Sequence, residues 1–447
     1  MKNVTKLFLA AGLFIAAAGF VFTSCTKEGP AGAAGTDGKD AAETCKQCHA
    51  AAVVDRIATQ FELSKHSWGT AAFEEAGNPG CDPCHTQLGF LYVVNNSIPS
   101  SFTFNSGTGK WVNDYSAVYS ASIGEISCFT CHSKLHTTYG TADLALATTA
   151  PVSMTMLGGA QTIDLTQDSS RSNLCVKCHQ PRPLTCGNDP AGRLLNYDSI
   201  KANPALVMYD STTGAKNKYL KPSYRMHVHY GAVGAVFAGK GGIEYSGTES
   251  YTSSPHTTLA SCQDCHMSEP MYGMAGGHSF YMRNGKESEL TSSTTFNFSG
   301  CNVTGCHAVS PLDASSSKFK DTRAAIKLLL DALAAKINAA GGGTDILHRD
   351  KSSTNLWWGV TTNGYDGYLN IYDPSSNAAG YWRNPYPANS WTQVQKDANA
   401  ALPKFPSLTF LQTGAMINFQ FCLREYSLGI HNTQYVKALL KNTADMM

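Results

Sequence analysis

The chain has 447 residues, enough for about two or three ordinary domains. Charged residues make up 15% of it, with 34 lysines and arginines against 33 aspartates and glutamates. This balance excludes the basic field of a nucleic-acid-binding protein, and the low charge content excludes a charge-rich disordered chain. The 15 cysteines and 14 histidines therefore require a metal, cofactor or disulfide explanation.

The N-terminus has the pattern of an export signal, which we assign to residues 1–24. Two lysines precede the apolar run Leu7–Phe22, which is shorter than the roughly 20 residues that span a bilayer. The next residues, ending in Thr-Ser-Cys at Cys25, resemble the lipobox of bacterial lipoproteins, so Cys25 is predicted to be lipidated. An ordinary signal peptide is the alternative. Residues 25–43 are predicted to form a Gly-rich linker after the lipidated cysteine.

One motif, C-x-x-C-H, occurs five times after residue 44. Two thiols at this spacing can each form a thioether with a haem vinyl group, and the following histidine can bind the iron. A zinc site does not need that histidine, and a thioredoxin-like pair would occur once. The predicted thioether residues are Cys45, Cys48, Cys81, Cys84, Cys128, Cys131, Cys175, Cys178, Cys262 and Cys265. The predicted proximal iron ligands are His49, His85, His132, His179 and His266.

A sixth motif has a longer spacing, because four residues separate Cys301 from Cys306, which His307 follows. Gly305 would let this longer loop fold back so that both sulfurs reach the ring. We therefore predict a sixth haem c here, with His307 as proximal ligand. A disulfide or two free thiols are the alternative. The haem-attachment region is then residues 44–310.

Between the motifs the sequence is rich in turns, and it predicts small β-hairpins instead of one large sheet. One hairpin is expected around residues 107–109 and another before residues 158–159. Cys186 and Cys422 belong to no motif. They could form a disulfide in an oxidising compartment or remain two separate buried thiols.

Residues 311–447 carry no attachment motif and are predicted to form a helical, aromatic-rich C-terminal region. Apolar residues at helical spacing predict a helix over about 320–339, which a run of glycines ends. A second helix is predicted over about 410–425, and a third begins after Asn432 as its N-cap. His431 lies at the start of this third helix and would connect the region to a haem.

Eight histidines lie outside the motifs, which is close to one second ligand for each of six irons. They are His66, His136, His227, His229, His256, His278, His348 and His431. This number favours bis-histidine ligation, because methionines in an apolar-rich chain are more often packing residues. Residues i and i+2 of an extended segment point the same way, so either His227 or His229 could reach one haem.

With these motifs the chain resembles the multihaem c-type cytochromes of bacterial periplasmic and cell-surface electron transfer. The resemblance extends from about residue 44 to the C-terminus and includes Ser64-Lys65-His66 and Gly276-Gly277-His278. It implies a mainly irregular and α-helical fold with short β-hairpins, built around a stacked chain of haems. It also implies distal iron ligands at His66, His136, His229, His256, His278 and His431. His227 and His348 are then unused.

We expect an electron carrier with six haem c groups, not an enzyme, in extracellular or outer-membrane-linked respiration. Multihaem nitrite, hydroxylamine and tetrathionate oxidoreductases often have a lysine in one attachment motif, and no C-x-x-C-K occurs here. Such an oxidoreductase is one alternative, and a conductive filament, a homopolymer, is another. The expected partners are redox proteins or extracellular acceptors, and a membrane through the lipid anchor. The predicted location is the outer membrane or cell surface, with the periplasmic face as an alternative.

Overall fold

A computed structural model describes most of the chain after residue 50. The described residues are 51–69, 74–75, 78, 80–117, 124–182, 184, 191–212, 221–271, 275–284, 295–349, 356–357, 360–361, 364–376 and 380–447. The chain divides into two units, residues 1–54 and 55–447, and the first is described at residues 51–54. The predicted signal segment, Cys25, the linker and the first motif with Cys45, Cys48 and His49 lie outside the described residues, as does Cys186.

Short helices alternate with irregular chain as far as residue 316, and longer helices follow. The first group is α1 (Ala51–Leu63), α2 (Lys65–Trp68), α3 (Asp82–His85), α4 (Gln87–Asn95), α5 (Asp114–Ala117), α6 (Cys128–Cys131), α7 (Ser172–Cys178), α8 (Tyr197–Ala202), α9 (Val233–Phe237), α10 (His256–Leu259) and α11 (Cys262–His266). The second group is α12 (Ser317–Ala339), α13 (Gln393–Ala400), α14 (Phe410–Leu423) and α15 (Thr433–Met446). Turns of 3-10 helix cover Thr141–Leu144, Thr155–Leu157 and Gly277–Ser279.

The strands of the described residues form separate two-stranded antiparallel sheets. They are β1 (Phe102–Asn105) with β2 (Lys110–Asn113), β3 (Val152–Ser153) with β4 (Thr162–Ile163), β5 (Val207–Tyr209) with β10 (Leu408–Thr409), β6 (Leu347–Arg349) with β9 (Tyr365–Leu369), and β7 (Leu356–Trp357) with β8 (Val360–Thr361). Both predicted hairpins are confirmed, with Phe104 opposite Trp111 in one and Val152 opposite Ile163 in the other. Gly109 closes the first with a φ of +65°, which glycine adopts without strain.

One apolar core joins the C-terminal helices to the irregular middle of the chain. α14 is buried around most of its circumference, and α12 and α15 pack against it and against each other. α12 faces this core with residues at helical spacing, such as Ile326, Leu330 and Leu333. The same core contains Met154 and Tyr245, so it includes residues on both sides of position 310.

The three C-terminal helices expected from the sequence are confirmed as α12, α14 and α15. α12 begins at Ser317, three residues before the predicted start, and α14 ends at Leu423. α15 follows Asn432, whose side chain accepts a hydrogen bond from Tyr435 N, as expected of an N-cap. These long segments were predictable because their apolar spacing and caps are local features.

Two buried amide side chains of α14 hold irregular backbone against the core. Asn418 accepts from Ile243 N and donates to Ile243 O, both at 2.8 Å. Gln420 accepts from Val228 N and donates to Met226 O, both at 3.1 Å. Irregular chain has no neighbouring strand to pair with, so these amides satisfy its backbone groups. They thereby fix the position of the segment that contains residues 227–229.

Asn418→Ala is expected to lower the free energy of unfolding by about 2–4 kcal/mol. The reason is that both backbone groups of Ile243 lose their partner inside the core, where unpaired polar groups are costly. Urea unfolding of the purified protein measures this change. Lys437→Ala, at a half-exposed side chain of α15, is the control and should change stability by about 0.5 kcal/mol or less. Equal effects of the two variants would contradict the role of Asn418.

Candidate functional site at the cysteine and histidine motifs

Four of the attachment motifs coincide with a turn of α-helix, at α3, α6, α7 and α11. Positions i, i+3 and i+4 share one face of a helix, so both cysteines and the histidine point to the same side. In α7, His179 N donates to Cys175 O at 2.9 Å and closes the turn. Ser127 before α6 and Ser261 before α11 form capping boxes that start these turns.

The longer motif forms an irregular turn. Gly305 has a φ of +88°, and this left-handed conformation turns the chain back before Cys306. His307 N then donates to Cys301 O at 3.0 Å. The histidine therefore has the same backbone contact with the first cysteine as in the helical motif of α7, despite the two extra residues.

Four of the five described motif histidines lie beside a histidine from elsewhere in the chain. In these four pairs the ring centroids are 5.9 to 6.3 Å apart: His66 with His179, His85 with His229, His256 with His307, and His266 with His431. The fifth, His132, has a less direct relation to a second histidine: burial and then the charge of His132 lower the pKa of His278.

The spacing of these rings fits two axial ligands of one iron. A metal–imidazole bond of about 2 Å on each side and a ring radius of about 1.1 Å give centroids about 6 Å apart. Edge-to-face packing of two rings covers a similar range of distances. Recurrence at four of the five described motifs favours ligation, as does the partly accessible surface that each paired ring keeps. A planar group can lie against such a surface, whereas His227 and His348 are only 8% and 5% exposed.

The protein holds four of the candidate ligand rings by a contact at Nδ1. Nδ1 of His132, His256 and His266 contacts the carbonyl oxygens of Leu144 at 2.8 Å, Ile430 at 3.0 Å and Phe280 at 2.9 Å. Nδ1 of His431 contacts Glu425 Oε2 at 2.7 Å. A proton on Nδ1 leaves the lone pair on Nε2 for a metal. Nδ1 of His229 differs, because it is buried without a hydrogen-bond partner among the described residues.

Burial keeps several of these imidazoles neutral, which is the form that binds a metal. It is the main cause that lowers the pKa of His179 and His229 to about 3 and that of His266 to about 4. More than a third of the surface of His179 is nevertheless accessible. The lower exposure of His229 and His266 agrees better with the burial that lowers their pKa.

His227 and His348, which the resemblance leaves unused, have other neighbours. Nδ1 of His227 contacts the Arg424 guanidinium and Val228 O, and its ring meets Tyr368 edge-on at 5.0 Å. His348 forms an ion pair with Asp366 when protonated. Residue 227 lies in a bend, so the extended segment assumed from the sequence is not present there. His229 is the one of the two histidines that lies beside a motif histidine.

His136 is the remaining candidate distal ligand. Its ring lies 6.4 Å from Phe129 and 6.0 Å from Tyr139, and its φ is +63°. The motif histidine not yet paired is His49, which lies outside the described residues. Ligation by His136 therefore stays a prediction from the resemblance.

Motif cysteines that act on one another's pKa give the motifs a spatial order. The largest influence on the pKa of Cys84 is Cys178, that on Cys175 is Cys262, and that on Cys265 is Cys301, while Cys131 acts on Cys175 and Cys178. The helix α7 also contacts both α3 and α11. The order is therefore α3, α7, α11 and the 301–307 turn, with α6 beside α7. None of the described motif cysteines, nor Cys422, forms a disulfide with another described cysteine.

Polar contacts hold the motifs of α7 and α11 together. Cys262 N donates to Ser172 Oγ at 3.1 Å, and Gln263 Nε2 donates to Asp168 Oδ2 at 2.9 Å. The same carboxylate oxygen accepts from Ser172 N at 2.9 Å and thereby satisfies the first backbone N–H group of α7. These contacts explain how two motifs more than eighty residues apart in sequence become neighbours.

Glu425 is a contact of this site that sequence reasoning does not identify. It lies just after α14, and the loop to α15 folds back so that its carboxylate reaches His431. No motif spacing connects a glutamate to a histidine six residues later. The contact depends on the path of the loop, where Tyr426, Leu428 and Gly429 have positive φ values.

Comparison of the chain with known proteins finds no matching family model, no matching curated protein and no matching solved structure. Within the described ranges, no cluster of three or more His, Cys, Asp or Glu side chains is arranged to hold a metal ion by itself. Among the same residues, every helix is too short or too polar to cross a membrane.

Proposed function

We propose that the protein carries electrons through six covalently bound c-type haems, as an exported lipoprotein of the outer membrane or cell surface. The observation that carries this proposal is the pairing of four of the five described motif histidines with a second histidine. These pairs have centroid separations of 5.9 to 6.3 Å. Location and lipidation rest on the sequence around Cys25.

Haem bound at these motifs would supply an iron that accepts and releases one electron. The chain contributes the thiols that attach it and the two imidazoles that flank it. Carbonyl acceptors at Nδ1 hold the rings of His132, His256 and His266 in one orientation. A fixed ligand set of two neutral imidazoles favours reversible electron exchange at a lower potential than a histidine and methionine pair.

The proximity of cysteines in consecutive motifs supports transfer from site to site. The series runs from α3 through α7 and α11 to the 301–307 turn, because α7 contacts α3 and α11 and each motif has a cysteine that acts on the pKa of a cysteine in the next. Groups attached to these cysteines would be close neighbours. The expected partners, redox proteins or extracellular acceptors, would therefore exchange electrons at the exposed ends of the series.

An electron carrier is favoured over a nitrite- or hydroxylamine-type oxidoreductase. Such an enzyme needs one iron with an open coordination position. Four of the five described motif histidines have a second imidazole ring with centroids 5.9 to 6.3 Å apart. This observation argues against a substrate site at those four positions.

The purified protein is expected to contain six haems and six iron atoms per chain, all low-spin in the ferric state. A pyridine haemochrome assay, metal analysis and electron paramagnetic resonance measure these properties. A count of five haems would indicate that the 301–307 motif binds none. A chain without haem would contradict the proposal. A high-spin iron that turns over nitrite or hydroxylamine would favour the enzyme instead.

A further inference from the structure

Glu425 is a fully buried carboxylate, with 0% of its surface exposed. It accepts hydrogen bonds from Ser427 Oγ at 2.6 Å, from Gly429 N at 2.7 Å and from His431 Nδ1 at 2.7 Å. Three donors around one carboxylate stabilise its ionised form. Glu425 therefore places a negative charge directly behind the ring of His431.

A nearby cation is consistent with this charge. Arg323 of α12 is buried at 3% exposure. Burial lowers the pKa of Arg323 to about 10, and the Glu425 carboxylate acts in the opposite direction. A buried carboxylate needs such compensation, because an isolated buried charge is costly.

The other anchored rings of the motif sites have neutral partners. Nδ1 of His132, His256 and His266 contacts backbone carbonyl oxygens. A hydrogen bond to a carboxylate is about twice as strong as one to a neutral acceptor, and it makes the imidazole a more basic ligand. A more basic axial ligand stabilises ferric over ferrous iron and so lowers the reduction potential.

We propose that Glu425 is a positioning residue that holds the reduction potential of the site at His266 and His431 below the value it would have with a neutral acceptor. The proposal rests on the proposed function, since it requires haem at this motif. The contact of α11 with α7 and the effect of Cys301 on the pKa of Cys265 place the motif of α11 between α7 and the 301–307 turn. The site with the carboxylate therefore lies inside the series, where a lowered potential would slow electron flow between its two neighbours.

The same loop connects two sites. Glu425 anchors His431, and Ile430 O, five residues later in the chain, contacts Nδ1 of His256, which pairs with His307. The carboxylate acts on the first of these sites, and a neutral carbonyl acts on the second. The loop between α14 and α15 thereby gives neighbouring sites different axial environments.

Glu425→Gln is the first test, because glutamine keeps the shape and a neutral acceptor but removes the charge. Redox titration of the holoprotein with dithionite and ferricyanide, followed optically, is expected to show one site whose ferric-to-ferrous equilibrium moves about tenfold toward ferrous. A tenfold change corresponds to about 59 mV for a one-electron couple. Glu425→Asp, which keeps the charge, is expected to retain most of the low potential.

Asp366→Asn is the matched control. Asp366 also contacts Nδ1 of a buried histidine, His348, but that histidine belongs to no motif pair. Every site of this variant should shift by well under tenfold. An equal shift in Glu425→Gln and Asp366→Asn would show a general loss of negative charge and would overturn the specific role of Glu425.

Haem content separates this inference from the proposed function. Six haems in wild type and in Glu425→Gln, with unchanged potentials, would overturn the role of Glu425 and leave electron transfer intact. A wild-type protein without haem would overturn both. If Glu425→Gln does not fold, Ser427→Ala provides a second test. Loss of the Ser427 hydroxyl leaves more of the carboxylate charge to His431, so the same site should shift toward ferric, and a shift toward ferrous would contradict the proposal.

Discussion

His229→Ala is expected to convert one of six iron sites from low-spin to high-spin, whereas His227→Ala leaves all six low-spin. The centroid of His229 lies 6.3 Å from that of His85, the motif histidine of α3. Alanine removes the second imidazole from that site, and a five-coordinate or water-ligated iron is high-spin. Electron paramagnetic resonance of the ferric protein measures the change. Haem content should stay at six, because Cys81 and Cys84 are untouched.

The backbone between the two histidines explains why one cannot replace the other. Val228 N donates to Gln420 Oε1 at 3.1 Å, and Val228 O accepts from Arg424 Nη1 at 2.7 Å. Gln420 of α14 and Arg424 just after it thus hold both the N–H and the carbonyl group of Val228. His227 is directed to Arg424, so rescue of the His85 site by His227 would require both hydrogen bonds to break.

His227→Ala is the matched control, at a more buried histidine two residues away in the chain. It should cost stability, about 1–3 kcal/mol, because Arg424 loses a contact in the core. The spin state of the iron sites should not change in this variant. A high-spin site in His227→Ala, or none in His229→Ala, would show that the pairing described above is wrong.

The double variant Cys175→Ala and Cys178→Ala is expected to lower haem content from six to five per chain and to destabilise the protein strongly. The helix α7 contacts both α3 and α11, and each of its cysteines acts on the pKa of a cysteine in a neighbouring motif, so α7 lies at the centre of the series. Loss of a buried group at this position leaves a cavity among several motifs. The cost should reach at least that of a large-to-small core substitution, about 2–5 kcal/mol. Haemochrome assay and thermal unfolding measure the two effects.

Two controls distinguish the effect of the central position of α7 from the effect of losing one haem-attachment site. Cys301→Ala with Cys306→Ala also removes one attachment site, but its turn lies at the end of the contact series, so the fall in unfolding temperature should be smaller. Cys422→Ala removes a buried free thiol of α14 that belongs to no motif, and haem content should remain six. Equal destabilisation by the two double variants would contradict the central position of α7.

Local patterns explain which parts of the fold were predictable. The hairpin β1–β2 and the helices α12, α14 and α15 follow from residue spacing, turn glycines and caps within a few positions. The bend at residue 227 was not predictable from such patterns. It depends on Gln420 and Arg424, almost two hundred residues further along the chain.

The candidate site likewise has a part that local patterns predict and a part that depends on contacts between distant segments. The sequence by itself determines the motifs, because cysteines at i and i+3 and a histidine at i+4 share one face of a helical turn wherever that turn lies. It also supplies enough further histidines for a second ligand at each site. Only the tertiary structure decides that His66 lies beside His179, that α7 is the central motif, and that Glu425 reaches His431. These contacts join distant segments through burial around α14 and through the path of its following loop, and no local spacing encodes either.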